Sequence, residues 1–183
     1  MDDERFYRQY INGSQEAADR LVDLYADALT LYINGFVEDV HEAEDLMIEA
    51  FALIFAKERP IKGEGSFKSY LYKIARNLAI RHIKKQRLRF LSVEELPFEL
   101  STDVLAETPF YRKERKRNLY EAMEELRAEY REALYLTYFE EMSYRQAASV
   151  MGKTEGQITK LVYRGKQSLK NILSQKGFCY EDK

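Results

Sequence analysis

Between residues 66 and 84 one helical stretch places Tyr70, Lys73, Asn77, Arg81 and Lys84 on a single line, with Tyr72 and Arg76 on another. Residues three or four apart share a helix face. Aromatic rings stack on unpaired bases, cations follow a phosphate backbone, and an asparagine amide can read a base edge freed from its partner. The pattern points to single-stranded or melted nucleic acid. A solvated basic face, with tyrosines lying flat on a core, remains the alternative. Farther along, Gly156, Thr159, Lys160, Tyr163, Arg164, Gln167 and Lys170 form an arc that contains no acid. Cations for phosphates, with Gln and Arg for base edges, suit a major groove. A third set, Glu42, Glu44, Asp45 and Glu49, offers carboxylates for acid–base or metal chemistry. No histidine stands at ligand spacing with them, because His41 is adjacent and His82 falls on another helix. No phosphate-binding Gly loop or nucleophile motif appears, and no cofactor or metal is expected.

The elements that must position these groups read as helices almost throughout. After Gly13–Ser14, an amphipathic run carries Ala17, Leu21, Leu24, Tyr25, Ala28 and Leu31. Asp39 to Glu42 has the form of a capping box and opens a helix with the stripe Ala43, Leu46, Met47, Ala50, Phe51, Ile54, Phe55. Pro60, Gly63 and Gly65 form a loop, and Ser66 caps the basic helix, whose stripe is Phe67, Leu71, Ile74, Ala75 and Leu78. From Leu88 to Thr108 the helical period dissolves around Pro97, which predicts a linker. Pattern resumes near Lys113 with Leu119, Ala122, Met123 and Leu126, then Tyr130, Ala133, Leu134, Leu136, Thr137 and Tyr138. Two further capping boxes follow, Ser143 to Gln146 and Thr154 to Gln157. Ala148, Gly152 and Ile158 have the spacing of a helix-turn-helix. The glycine supplies a left-handed turn, and the isoleucine plugs the space between helices. The second helix buries Ile158, Leu161, Val162, Gly165, Leu169, Ile172 and Leu173. The expected fold is all-α: two small helical domains joined by an acidic linker. The C-terminal one is a helix-turn-helix in a winged-helix-like arrangement without a sheet.

The chain of 183 residues has a net charge of −2, which conceals opposite blocks. Residues 1–60 hold fourteen acids and five bases, and 61–89 hold nine bases and one acid. Residues 90–111 hold five acids and no base. Alternating blocks predict several partners, one a polyanion. No apolar run reaches the ~18 residues of a membrane span, and no secretory leader is visible. The lone Cys179 forms no internal disulfide and fits a reducing compartment. A cytoplasmic protein without direct membrane insertion is expected.

EAEDLMIEAF (Glu42–Phe51) followed by GSFKSYLYKIARNLAIRHIKK resembles region two of the extracytoplasmic-function (ECF) sigma factors of bacterial RNA polymerase. EYREALYLTYFEEMSYRQAASVMGKTEGQITKLVYRGKQSL (Glu129–Leu169) resembles their region four. The resemblance implies a domain at 1–88 for polymerase docking and for recognising and melting the minus-ten element. It implies a linker at 89–112 and a minus-thirty-five-reading domain at 113–183. It places Asp45, Leu46, Ile48 and Glu49 against the β′ clamp helices of core polymerase, with region four toward the β flap. Lys62, Ser66, Tyr70, Lys73, Arg76, Asn77, Arg81 and Lys84 are implied at the melted strand, Asn77 matching the family's IARN motif. Thr154, Gly156, Gln157, Thr159, Lys160, Tyr163, Arg164 and Gln167 are implied at the upstream element. Departures from the family's habit are Ile48 for Gln, Tyr70 for Trp, Arg81 for Asp, Thr159 for Lys and Leu161 for Arg.

The implied partners are core RNA polymerase, promoter DNA and an anti-sigma factor. Such a protein is a transcription initiation factor without catalysis of its own. An autonomous helix-turn-helix regulator is the rival reading. It explains the second domain but not the Tyr/Asn/Lys helix, and it usually needs a dimer that no segment here provides.

Overall fold

The apolar stripes fold as helices. A computed structural model describes residues 2–57, 66–90 and 118–177, and every regular element among them is helical. Helices α1 (Asp2–Ile11), α2 (Gln15–Val37), α3 (Val40–Phe55) and α4 (Phe67–Phe90) make a first bundle. A second contains α5 (118–124), α6 (Ala128–Leu134), α7 (Tyr144–Met151) and α8 (Glu155–Gln175). Lys62, residues 91–112 of the expected linker and Cys179 lie outside the described residues. Helix α4 runs through Phe90, slightly past the expected boundary at 88.

The acidic N-terminus, for which the sequence suggested no element, forms α1. Its Tyr7 ring packs on Phe67, with centroids 5.1 Å apart. Tyr25 Oη of α2 donates to buried Asp3 at 2.8 Å, and Tyr10 Oη donates to the Phe55 carbonyl at 2.8 Å. The α3 stripe falls where its period predicts, with Ala43, Leu46, Ala50, Phe51 and Ile54 buried. The α2 stripe departs from expectation. Leu24 is 53% exposed, and the core face instead runs Leu21, Tyr25, Leu29, Tyr32, Phe36. From Tyr32 to Phe36 consecutive residues are buried, so α2 is covered on several sides and no single period marks its face.

The second bundle depends on charges placed inside it. Arg131 of α6 is buried and donates to the carbonyls of Met123 at 2.7 Å, Leu126 at 2.8 Å and Glu124. A cation there satisfies the carbonyls left open at the end of α5. After Leu134 the chain widens into a π-helical turn, Tyr135–Phe139, which closes with Glu140 N donating to the Tyr135 carbonyl at 3.1 Å. Both capping boxes of the helix-turn-helix form completely, and Gly152 takes φ 64° between the helices. Ala148 and Ile158 are buried as their spacing predicts.

Hydrophobic packing is continuous from one bundle to the other. Tyr32 of α2 lies between Tyr72 of α4 at 5.0 Å and Tyr135 at 5.8 Å, measured between centroids. Gly165 is where α8 closes on α6: a Cβ there would meet Leu134 side-chain carbons at 3.2 Å and Tyr130 Cβ at 3.3 Å. Gly156 faces open space. Gly165→Val is expected to destabilise the protein by about 1–3 kcal/mol through overpacking. Gly156→Ala is expected to stay within about 0.5 kcal/mol of the parent, as surface substitutions do. Urea unfolding followed by circular dichroism checks both.

Candidate nucleic-acid interface

Ser66 opens α4 by accepting from Ser69 N at 3.3 Å, and the helix then sorts its side chains onto three faces. Phe67, Leu71, Ala75 and Leu78 go to the core. Lys73, Asn77, Arg81 and Lys84 form a solvent-exposed ridge, as their spacing predicts. Half-buried Tyr70 heads that ridge. Lys57 Nζ donates to its hydroxyl at 2.6 Å and lies 5.2 Å from the ring centroid. An aromatic edge, an amide and three cations thus share one accessible strip without a carboxylate.

The third face turns toward the second bundle. Arg76 Nε donates to Glu132 Oε1 at 2.6 Å and its terminal nitrogen to Oε2 at 3.2 Å. Tyr32 Oη donates to the same carboxylate at 2.9 Å. Burial pulls the Arg76 pKa down, but the hydrogen bond and charge of Glu132 outweigh it, and the net shift is upward. Lys68 Nζ pairs with Glu140 Oε2 at 2.9 Å and donates to the Glu140 carbonyl at 2.6 Å. Gln146 Nε2 donates to Ser66 Oγ at 2.7 Å. Arg76 and Ser66, expected beside nucleic acid, are therefore engaged by the second bundle and stand apart from the ridge. Tyr72 is fully buried, as the flat-tyrosine alternative has it. Burial first, and Glu140 second, push its phenol and that of Tyr135 well above the usual range.

On α3, Asp45 and Glu49 are exposed and Ile48 is 61% exposed between them. Leu46 sits in the core stripe, where it supports that face from beneath. Asp39 caps α3 through His41 N and Glu42 N, but Glu42 does not return the bond. Its carboxylate meets His82 Nε2 at 2.9 Å and Gln86 Nε2 at 2.8 Å, tying α3 to α4. Among the described residues, no His, Cys, Asp and Glu group has the geometry to hold a metal.

The α8 face follows its wheel. Ile158, Val162, Gly165 and Leu173 are buried, while Leu161, Leu169 and Ile172 are partly so. Gly156, Thr159, Lys160, Tyr163, Arg164, Gln167 and Lys170 are exposed, and Tyr163 reaches 65%. Thr154 and Gln157 close the capping box, which fixes the first turn from which this arc projects. Thr159 Oγ1 donates to the Glu155 carbonyl at 3.0 Å. Lys166 extends the basic surface beyond the expected set and lies over Tyr138, 4.9 Å from its centroid. Lys68, Glu132, Glu140 and Tyr32 are among the interface residues absent from the sequence reading. A carboxylate at a helical position gives no signal that it is buried.

The Sigma-70 region 2 family matches residues 21–89 and the Sigma-70 region 4 family matches residues 116–169. The chain is 27% identical over 157 residues to the ECF RNA polymerase sigma factor SigM of Bacillus subtilis (strain 168), covering 86% of this chain and 95% of that protein. Its fold is similar to that of CnrH in complex with the cytosolic domain of CnrY. The TM-score is 0.65 at 18% identity, covering 96% of this chain and 99% of that one. It is also similar to RpoE in complex with the anti-sigma factor NepR from Bartonella quintana. There the TM-score is 0.63 at 21% identity, covering 85% and 96%.

Thr154→Ala removes one side of the α8 capping box and is expected to lower stability by about 1 kcal/mol. Arg164→Ala, on the exposed arc, is expected to change it by less than about 0.5 kcal/mol. Paired urea titrations of the full chain measure the difference.

Proposed function

The chain belongs to the sigma-70 family, in its ECF branch, and serves transcription initiation by binding core RNA polymerase and directing it to promoters; we propose that it divides this task between the α4 ridge and the α8 arc. In this reading Tyr70, Lys73, Asn77, Arg81 and Lys84 hold the melted minus-ten strand with Lys62, joined by Ser66 and Arg76 once these two are released from Gln146 and Glu132. The α8 arc from Thr154 to Gln167 enters the major groove of the minus-thirty-five element, with Arg164 and Gln167 at base edges and Lys160 at phosphate. The observation that carries the reading is the pair of exposed, cation-bearing helical strips on separate bundles of one chain, the α8 strip with Glu155 as its one acid, in the first turn.

Asp45, Ile48 and Glu49 dock on the β′ clamp helices, and the second bundle sits toward the β flap. The acidic stretch within 89–112 passes through the positively charged channel of the polymerase as a nucleic-acid mimic. The factor contributes binding energy and no catalytic chemistry. It acts in the cytoplasm, and no described helix is long and apolar enough to cross a membrane. An anti-sigma protein restrains it, as the complex formed by the similar RpoE suggests.

In vitro transcription with purified core polymerase on a fragmented genomic library tests the function. New transcripts at discrete starts are expected. Loss of those starts, together with retained duplex binding, would favour an autonomous regulator. With holoenzyme, Asn77→Ala is expected to reduce permanganate reactivity of the melted region more than it reduces duplex affinity; equal losses would remove Asn77 from strand capture. Arg164→Ala is expected to weaken promoter binding about ten-fold, which corresponds to a contact of about 1–3 kcal/mol at a base edge.

A further inference from the structure

Lys57 follows the end of α3 and belongs to neither candidate surface, yet its ammonium meets the head of one. Its Nζ donates to Tyr70 Oη at 2.6 Å and lies 5.2 Å from the ring centroid. The longer distance nearly equals the hydrogen bond added to the span from ring centre to phenol oxygen. The ammonium therefore stands beyond the hydroxyl, close to the line of the C–O bond. A cation over a ring face would compete with a stacking base, whereas one at the tip leaves both faces free of it.

The end of α3 from which Lys57 projects is itself held. The last carbonyls of a helix have no partner within it. Tyr10 of α1 donates to that of Phe55 at 2.8 Å, and the two rings lie 4.7 Å apart. Tyr7, also on α1, has its phenol pushed up by burial first, then by the neighbouring phenols of Tyr70 and Tyr10. Three phenols from α1 and α4 thus gather beside the end of α3, and Lys57 reaches that of Tyr70. Helix α1, which precedes the residues matched by the region 2 family, so acquires a task at the melting surface.

A half-exposed aromatic side chain otherwise chooses among staggered rotamers. Fixing one in advance spares the ordering cost when a base arrives. A lysine bound at the tip does so without occupying the stacking surface. We propose that Lys57 is a positioning residue for strand capture: anchored through α1 and α3, it holds the Tyr70 ring in the pose that receives an unpaired base. The inference rests on the sigma reading above, in which Tyr70 meets the melted strand. Direct contact of Lys57 with a strand phosphate is the competing role.

A double-mutant cycle in holoenzyme tests this on a promoter supplied by the transcription starts above. Lys57→Met keeps the apolar stem and removes the donor, and Tyr70→Phe keeps the ring and removes the acceptor. Permanganate reactivity of the melted region is expected to fall about five-fold in each, the penalty of ordering one side chain. The double variant is expected to fall no further than either single one, because both break the same bond. Duplex affinity and the urea midpoint of Lys57→Met are expected to match the wild type. An additive double variant, with the salt slope of binding lowered by about one in Lys57→Met, would assign Lys57 to a phosphate and overturn the positioning role. Full opening by Lys57→Met, or a loss of opening that tracks a lower urea midpoint, would overturn it too. A wild type that opens no promoter would overturn the sigma reading and this inference with it. A wild type that opens its promoter while the cycle is additive refutes the positioning role alone.

Discussion

A carboxylate buried in a protein must find donors or remain protonated, and Glu132 finds its donors on two other helices. Arg76 of α4 supplies two hydrogen bonds and Tyr32 of α2 supplies a third. Three helices from two bundles are therefore tied at one side chain. The tie fixes how far α6 can slide along α4, and with α6 it fixes the helix-turn-helix that packs on it. Gly165 completes the chain of constraints, because the absent Cβ lets α8 approach Leu134 and Tyr130 of α6. Moving the guanidinium of Arg76 would therefore move the α8 arc as well.

Helix α4 shows how one helix serves several purposes. With ~3.6 residues per turn, residues 73, 77, 81 and 84 remain on one line while 68, 72 and 76 form another. The first line stays in solvent and the second is covered. An exposed cation is available to a polyanion at little desolvation cost, whereas a covered one must first lose its partner. Lys73 and Arg76 lie less than one turn apart, yet they occupy these opposite situations. Covalent spacing thus separates a permanently accessible strip from a conditional one.

Much of this was legible in the sequence, wherever a local rule decides the outcome. The α3 and α8 stripes, the two complete capping boxes and the turn at Gly152 depend on period, cap chemistry and backbone conformation within a few residues. Long-range determinants were not legible. Leu24 falls off the core because α2 is enclosed along Tyr32 to Phe36, where several faces are apolar at once. Glu42 leaves its expected cap bond because His82 and Gln86, forty or more positions away, offer better partners. Nothing local marks Arg131, Glu132 and Glu140 as buried, since hydropathy does not record that another helix will cover them. The exposed members of both candidate surfaces were legible, and the engagement of Arg76 was not.

The π-helical turn at Tyr135–Phe139 holds one residue more than an α-helical turn would between the same ends. Length variation and substitution therefore act differently there. Loss of one residue would let the segment relax into a regular α-helical turn between the same ends, so the residues beyond it would keep their facing. Glu140 would keep Lys68, and Glu132, upstream of the turn, would keep Arg76. A deletion within the α-helical turns of α6 would instead rotate everything beyond it by about 100°. The turn is therefore the place where chain length can change by one residue without re-aiming the charged side chains on either side.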